Sequence, residues 1–309
     1  MIEQGNFVDR RPEFVVVGGP TASGKSALAL ELSKSIGGAI LCCDSVQLYR
    51  GFDIGSAKPT ASERATVPHY LFDVLDWNDS FDAAAYARAA KTVMLEISQR
   101  GLIPVIVGGT GLYLRALLGD AWDDDVPSDK ELRQWLSERE SLDLYGELQQ
   151  KDPRRAAEIH PNDRFRVIRA LEINILTGSV VRVRRPDSSL PLSHVMIFLN
   201  PERDTLHNRI AERTKDMIKN GLMAEVDGLL AAGVDPACKP MQSIGYKQVL
   251  AMRQGLLPAD KLEEKIVFAT RQYAKRQITW FKKVPHHLTG LGERDFPRMI
   301  EDVRFALGV

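Results

Sequence analysis

The apolar positions alternate between short β-branched runs and stripes at helical spacing. Phe14-Val-Val-Val-Gly18 predicts a buried parallel strand, and a helix follows over Lys25–Ile36 with Leu28, Leu32 and Ile36 on one face. Ala39–Cys43 predicts a second strand, with Asp44 at its C-terminal end, and Tyr70–Val74 a third. A long amphipathic helix over Asp82–Arg100 stops at Gly101. Ile103–Val107 then forms a strand that runs into Gly108-Gly109-Thr110-Gly111. Strands alternating with helices predict an α/β fold with a parallel sheet and ligands at the C-terminal edge of its strands.

The rhythm changes near Gly119. From Asp120 to Pro191 the pattern is helical, divided by turn signals at Val126-Pro127 and Asp152-Pro153. Its last helix runs over Asp163–Thr177 on the stripe Ile168, Leu171, Ile175. Val195–Leu199 restores a strand, and helices follow over Arg203–Leu230, Ile244–Arg253 and Pro258–Phe281. The expected organisation is therefore an α/β core from 1–119 and 192–309, with a helical insertion domain over 120–191. The chain's 309 residues suit that plan. No apolar run is long enough to span a bilayer and the N-terminus has no apolar signal core, so the expected home is the cytoplasm, without membrane contact. Cys42, Cys43 and Cys238 give neither a disulfide framework nor zinc spacing, and the adjacent pair reads as strand filler.

The strongest chemical signal is Gly19-Pro20-Thr21-Ala22-Ser23-Gly24-Lys25-Ser26, a phosphate loop (P-loop) placed between a strand and a helix. Its glycines let backbone N–H groups point inward and the helix N-terminus adds positive potential. Lys25 would neutralise phosphate oxygens, and Ser26 is the candidate Mg²⁺ ligand. Asp44 ends the neighbouring strand, where a carboxylate either joins the metal shell or takes a proton from a nucleophile. The loop Gly108–Gly111 converges on the same edge and presents Thr110. The core is thus P-loop NTPase-like. No strand ending in Asp-Glu appears elsewhere, which argues against an ATP-driven motor.

The charges, 41 Lys+Arg against 41 Asp+Glu, cancel overall but not locally. Ala121–Gln150 holds nine acidic and three basic residues, and Lys151–Asp187 nine basic and five acidic. Lys265–Lys283 holds six basic residues and no acidic one. In that last helix Arg271, Lys275, Ile278 and Lys282 share a face and Tyr273, Trp280 and Phe281 interleave. This is a pattern suited to phosphate-backbone contact with base stacking.

Seven blocks in order carry a wider likeness: GPTASGKS, DSVQLYRGFDIGSAKPT, PHYLFDV, VIVGGTGLYLRALL, NDRFRVIRALEI, QSIGYKQ and ATRQYAKRQITWF. Together, from Phe14 to Phe281, they closely resemble the bacterial tRNA dimethylallyltransferase (tRNA isopentenyltransferase) family; the tail from Pro285 adds little. The resemblance implies a P-loop core with a helical insertion and a target base flipped into a channel. It also implies transfer of a dimethylallyl group from dimethylallyl diphosphate to the exocyclic amine of the adenine 3′ to the tRNA anticodon. The loop Gly19–Ser26 would hold the diphosphate rather than ATP, with Mg²⁺ on Ser26. Asp44 would be the general base, Lys25 and Arg213 would act on the diphosphate, and Thr110 would sit beside the acceptor nucleotide. Asp44, Ser45, Val46 and Gln47, then Phe165, Arg166, Val167, Ile168 and Arg169, then Gln242, Ser243, Ile244, Gly245, Tyr246 and Lys247 resemble tRNA-contacting stretches. Arg271 and Lys275 add phosphate contacts. Ser26 and Ser56 stand where the family commonly shows Thr, and each keeps a hydroxyl. The partners implied are the tRNA anticodon stem-loop and the prenyl diphosphate, met by a monomer.

Three rivals share the P-loop. One is a small-molecule kinase with ATP in the loop, another an enzyme that prenylates free AMP, and the third a non-catalytic RNA-binding protein.

Overall fold

The computed structural model describes residues 11–119, 126, 129–178 and 193–309. The sequence expectations on Asp123, Asp124, Asp125, Pro127, Arg182, Arg184 and Arg185 lie outside them. Contacts divide the chain into two units, 1–117 with 191–309, and 118–190.

The first part of the larger unit runs β1 (Phe14–Gly18), α1 (Lys25–Ile36), β2 (Gly38–Cys42), α2 (Ala61–Arg64), β3 (His69–Tyr70), α3 (Ala83–Gln99), β4 (Ile103–Gly108) and α4 (Gly111–Leu117). The smaller unit holds α5 (Lys130–Ser137), α6 (Ser141–Lys151), α7 (Pro153–Glu158) and α8 (Arg164–Thr177). The larger unit resumes with β5 (His194–Leu199), α9 (Arg203–Lys219), α10 (Leu222–Ala231), α11 (Tyr246–Arg253), α12 (Leu262–Phe281), β6 (Leu288–Gly290) and α13 (Phe296–Leu307).

The strands form one parallel sheet in the order β3-β2-β4-β1-β5-β6. β1 is buried throughout and central, with Val15 opposite both Val105 and Val195. The connections leaving the adjacent strands β1 and β4 run to opposite sides of the sheet, and the crevice outside the carboxyl ends of such strands is where ligands bind. Alternate side chains on a strand face opposite ways. Val15 and Val17 pack with Leu28 and Leu32 of α1 and with Phe296, Met299 and Val303 of α13. Gly18 faces the other way. A Cβ there would stand 2.2 Å from the Phe281 ring, so α12 closes directly onto the end of β1.

Three expectations change. The strand predicted over Tyr70–Val74 ends at Tyr70, because Leu71 (φ 59°) and Asp73 (φ 56°) are left-handed. The Asp73 carboxylate is held in that turn by Lys58 and by Arg64 at 2.7 Å. The helix predicted over Arg203–Leu230 breaks at Gly221 (φ 102°) into α9 and α10. The tail from Pro285, for which no element was predicted, supplies β6 and α13, which complete the sheet and its core.

The smaller unit packs Leu136, Leu144, Leu148, Ile159, Val167 and Leu171 together. Inside it the fully buried Glu172 accepts from Arg133 at 2.9 Å, from Arg169 at 2.5 Å and from the Asp129 N–H at 2.7 Å. Removing one member of a buried ion network strands the others. Glu172→Ala lowers the stability of this unit by about 3 kcal/mol, read from the urea midpoint of its helical signal; an unshifted midpoint contradicts the network. Among the described residues no helix is long and apolar enough to cross a membrane.

Candidate active site

Three loops meet at the carboxyl edge of the sheet. The first, 19–24, joins β1 to α1 with left-handed turns at Ala22 (φ 62°) and Gly24 (φ 92°). Helix α1 opens without a side-chain cap and without an acidic residue in its first turn, which leaves its N–H groups available for an anion. The Ser23 hydroxyl is buried inside the loop with no protein partner. Lys25 folds back to donate to the Pro20 carbonyl at 3.2 Å. Desolvation, reinforced by the charge of Arg213, lowers the Lys25 pKa to about 8, against the pull of Asp44. Ser26 is exposed at the first turn of α1.

In the second loop Asp44 is half-buried, and its Oδ1 accepts from the N–H of Val46 at 2.9 Å and of Gln47 at 3.3 Å. This Asx-turn fixes the carboxylate and leaves Oδ2 outside the turn. The third loop brings Thr110 to the second: its Oγ1 accepts from the Ser45 N–H at 3.2 Å and its N–H donates to the Cys43 carbonyl. The glycines here are places of close approach. A Cβ on Gly108 would lie 1.9 Å from the Cys43 oxygen, and one on Gly111 2.4 Å from the Trp280 ring.

Helix α9 supplies two arginines four residues apart. Arg213 is half-buried and its pKa falls by desolvation, partly offset by Asp44. Arg209, unmarked in the sequence, donates to the Ser23 carbonyl at 3.3 Å and pairs with Glu293. The i, i+4 spacing from Arg213 was the available signal. Helix α12 contributes Tyr273, which lies beside Thr110, and Gln277. Burial and the nearby Asp44 charge push the Tyr273 pKa up to about 12. Lys25, Asp44, Thr110, Arg213 and Tyr273 therefore share one electrostatic neighbourhood.

Several predicted contact residues turn out to be internal. The Gln47 amide donates to the Ser56 and Ala57 carbonyls at 2.9 and 3.0 Å. Tyr246 is fully buried and donates to Glu225 at 2.6 Å, while Glu225 accepts from the N–H groups of Asp53, Ile54 and Gly55. The DIGS and SIGY blocks are thus packed on each other, and a Cβ on Gly55 would meet the Tyr246 ring at 2.4 Å. Gly245 is buried, Ile244 half-buried, and the Ser243 hydroxyl bonds the Pro240 carbonyl, which leaves Gln242 and Lys247 exposed. Ser45 and Val46 are half-buried beside Asp44. In α8 Val167 is core, Ile168 packs against that core and Arg169 is tied to Glu172 and the Val126 carbonyl; Phe165 and Arg166 are exposed. On α12, Arg271, Lys275 and Lys282 are exposed as expected, but Ile278 packs onto Leu206 and Ile210. Of the α12 aromatics, Phe281 is buried and stacks on Phe198, Trp280 is half-buried over Gly111, and Tyr273 is half-buried beside Thr110. Cys42 and Cys43 are buried, and desolvation raises the Cys43 thiol to about 12.

A pocket of about 150 Å³ opens between Ser26, Leu30, Ile40, Gln47, Phe72 and Val107. The described residues hold no cluster of three ionisable side chains suited to a metal. A divalent cation would therefore take Ser26 Oγ and otherwise depend on phosphate oxygens and water, a donor set that suits Mg²⁺.

A glycine-rich turn between β1 and α1, with the fixed Asp44 carboxylate at the same edge of a parallel sheet, defines a P-loop NTPase-like α/β core. A sequence model described as IPP transferase matches residues 47–284, and the chain belongs to that family. It is 44% identical over 281 residues to the tRNA dimethylallyltransferase 1 of Trichlorobacter lovleyi, covering 89% of this chain and 92% of the relative. The tRNA dimethylallyltransferase of Geobacter sulfurreducens is 42% identical over 289 residues, covering 91% and 92%. Among solved structures, the tRNA isopentenylpyrophosphate transferase of Bacillus halodurans superimposes with a TM-score of 0.72 at 37% identity, covering 96% of each chain. A eukaryotic dimethylallyltransferase acting on tRNA superimposes with a TM-score of 0.77 at 26% identity, covering 91% of this chain and 74% of its own.

Proposed function

We propose that this chain transfers a dimethylallyl group from dimethylallyl diphosphate to the exocyclic N6 amine of the adenosine 3′ to the anticodon of a tRNA. The observation that carries this reading is the meeting of Lys25 and Arg213 with Asp44 at the uncapped start of α1, in a chain whose relatives bear the name of that reaction.

The amine of adenine is a weak nucleophile because its lone pair is delocalised into the ring. It attacks C1 of the prenyl chain, the N–C1 bond forms, the C1–O bond breaks, and the electron pair leaves with the diphosphate. The amine proton passes to Asp44, whose Oδ1 is fixed by the Val46 and Gln47 N–H groups and whose Oδ2 meets the acceptor. Thr110 orients the acceptor base. Lys25, Arg213 and the N–H groups at the uncapped start of α1 stabilise the charge that develops on the diphosphate. Ser26 would hold a Mg²⁺ ion, which would supply further charge neutralisation at the diphosphate. The base reaches the site flipped out of its stack.

The tRNA backbone meets Arg271 and Lys275, with Gln242, Lys247, Phe165 and Arg166 as further contacts. Replacing Arg271 and Lys275 together with alanine flattens the slope of log affinity for tRNA against log salt by roughly 1.5 units. An unchanged slope removes this helix from the interface. The enzyme works as a monomer in the cytoplasm.

Incubating the protein with labelled dimethylallyl diphosphate and either unmodified tRNA or AMP, and separately with labelled ATP, tests the reading. Label entering tRNA supports it. Label entering AMP alone, or phosphate passing from ATP to a small hydroxyl compound, overturns it.

A further inference from the structure

Gln277 lies on α12, only 6% exposed, and spends both ends of its amide on backbone from two different loops. Its Oε1 accepts from the Thr21 N–H at 2.8 Å and its Nε2 donates to the Gly109 carbonyl at 3.0 Å. Thr21 belongs to the turn that would hold the diphosphate, and Gly109 immediately precedes Thr110. The Thr21 N–H is accordingly turned away from any ligand and onto α12.

The surroundings are built for this bridge. A Cβ on Gly109 would fall 2.1 Å from Gln277 Nε2 and 3.1 Å from the Gly19 carbonyl, so the two loops abut and glycine is what admits the amide. Trp280 and Phe281 lie as closely over Gly111 and Gly18. One turn before Gln277, Tyr273 lies beside Thr110 itself. Among neutral side chains of this length only glutamine offers a donor and an acceptor together. Water is nearly excluded, so nothing else replaces the bonds when they are lost.

We propose that Gln277 is a positioning residue that sets the spacing between the leaving-group loop and the acceptor loop, and so the alignment of C1 with the attacking amine. The proposal rests on the prenyl-transfer reading above. Gln277 touches no reacting atom. Its effect is on geometry, where displacement of about 1 Å costs on the order of 100-fold in rate.

Gln277→Met keeps the length of the side chain and removes both bonds. With active sites counted by binding of inorganic diphosphate, the expected result is a kcat at least tenfold below wild type. The Kd for inorganic diphosphate and the Kd for tRNA each stay within threefold. Gly109→Ala perturbs the same bond from the loop side, because its methyl falls first on the flexible Gln277 amide and only tightly against the Gly19 carbonyl. It reproduces the kcat loss, and adding Gly109→Ala to Gln277→Ala costs less than twofold. If Gln277→Met does not fold, the Gly109→Ala series alone decides. A kcat per active site within twofold of wild type, or weakened binding with kcat intact, overturns the proposal. Failure of wild-type protein to prenylate tRNA defeats the prenyl-transfer reading instead, so the two failures are distinct.

Discussion

Replacing Asp44 with asparagine lowers kcat for prenyl transfer about 10³-fold, while tRNA affinity stays within a few-fold of wild type. That loss corresponds to about 4 kcal/mol of transition-state stabilisation. Asparagine keeps an oxygen able to accept from the Val46 and Gln47 N–H groups, so the Asx-turn and the loop it organises persist. What disappears is the ability to take up the amine proton as N–C1 bonding develops. Single-turnover rates with saturating tRNA and prenyl diphosphate, beside a tRNA binding curve, separate the two effects. A parallel collapse of rate and affinity means that Asp44 holds tRNA and does not handle the proton.

Lys25→Met lowers kcat about 10²- to 10³-fold and raises KM for prenyl diphosphate. In the proposed reaction the Lys25 charge stabilises the oxygens that become negative as the C1–O bond breaks. The same environment gives a pH signature. Desolvation and Arg213 bring the Lys25 pKa to about 8, so in the ligand-free enzyme the charge is present below that pH and lost above it. Wild-type kcat/KM for prenyl diphosphate, which reports the free enzyme, therefore falls as pH rises through about 8. In Lys25→Met this limb is absent. Unchanged kinetics in the variant take Lys25 out of the diphosphate site.

How much of this was legible from the sequence depended on whether the deciding interactions were local. β1 announced itself because a strand buried on both faces is apolar throughout, and the loop Gly19–Ser26 because its turns need residues of particular kinds at particular spacings. The two-residue length of β3 was hidden, since the left-handed turn at Leu71 and Asp73 goes with ion pairs from Lys58 and Arg64 to the Asp73 carboxylate. Gln277 was hidden for the same reason: its two partners lie 256 and 168 residues away and are backbone groups, which leave no chemical mark on the sequence. The blocks that imply tRNA contact mixed two roles. Phe165, Arg166 and Lys247 are exposed, whereas Val167, Arg169 and Tyr246 hold their own elements together. The basic helix showed its charges truthfully, whereas the close approach of Trp280 and Phe281 to Gly111 and Gly18 was hidden because those glycines lie far away in the chain.

The central claim is that one site joins a diphosphate leaving group to an adenine amine. Its most direct test is a single turnover with unmodified tRNA and dimethylallyl diphosphate, counting released inorganic diphosphate and locating the prenyl group by nuclease digestion and mass spectrometry. The account predicts one diphosphate per prenylated nucleoside, release that depends on tRNA, and the group on N6 of the single adenosine 3′ to the anticodon. Diphosphate released without tRNA modification, or a prenyl group at another atom, contradicts it.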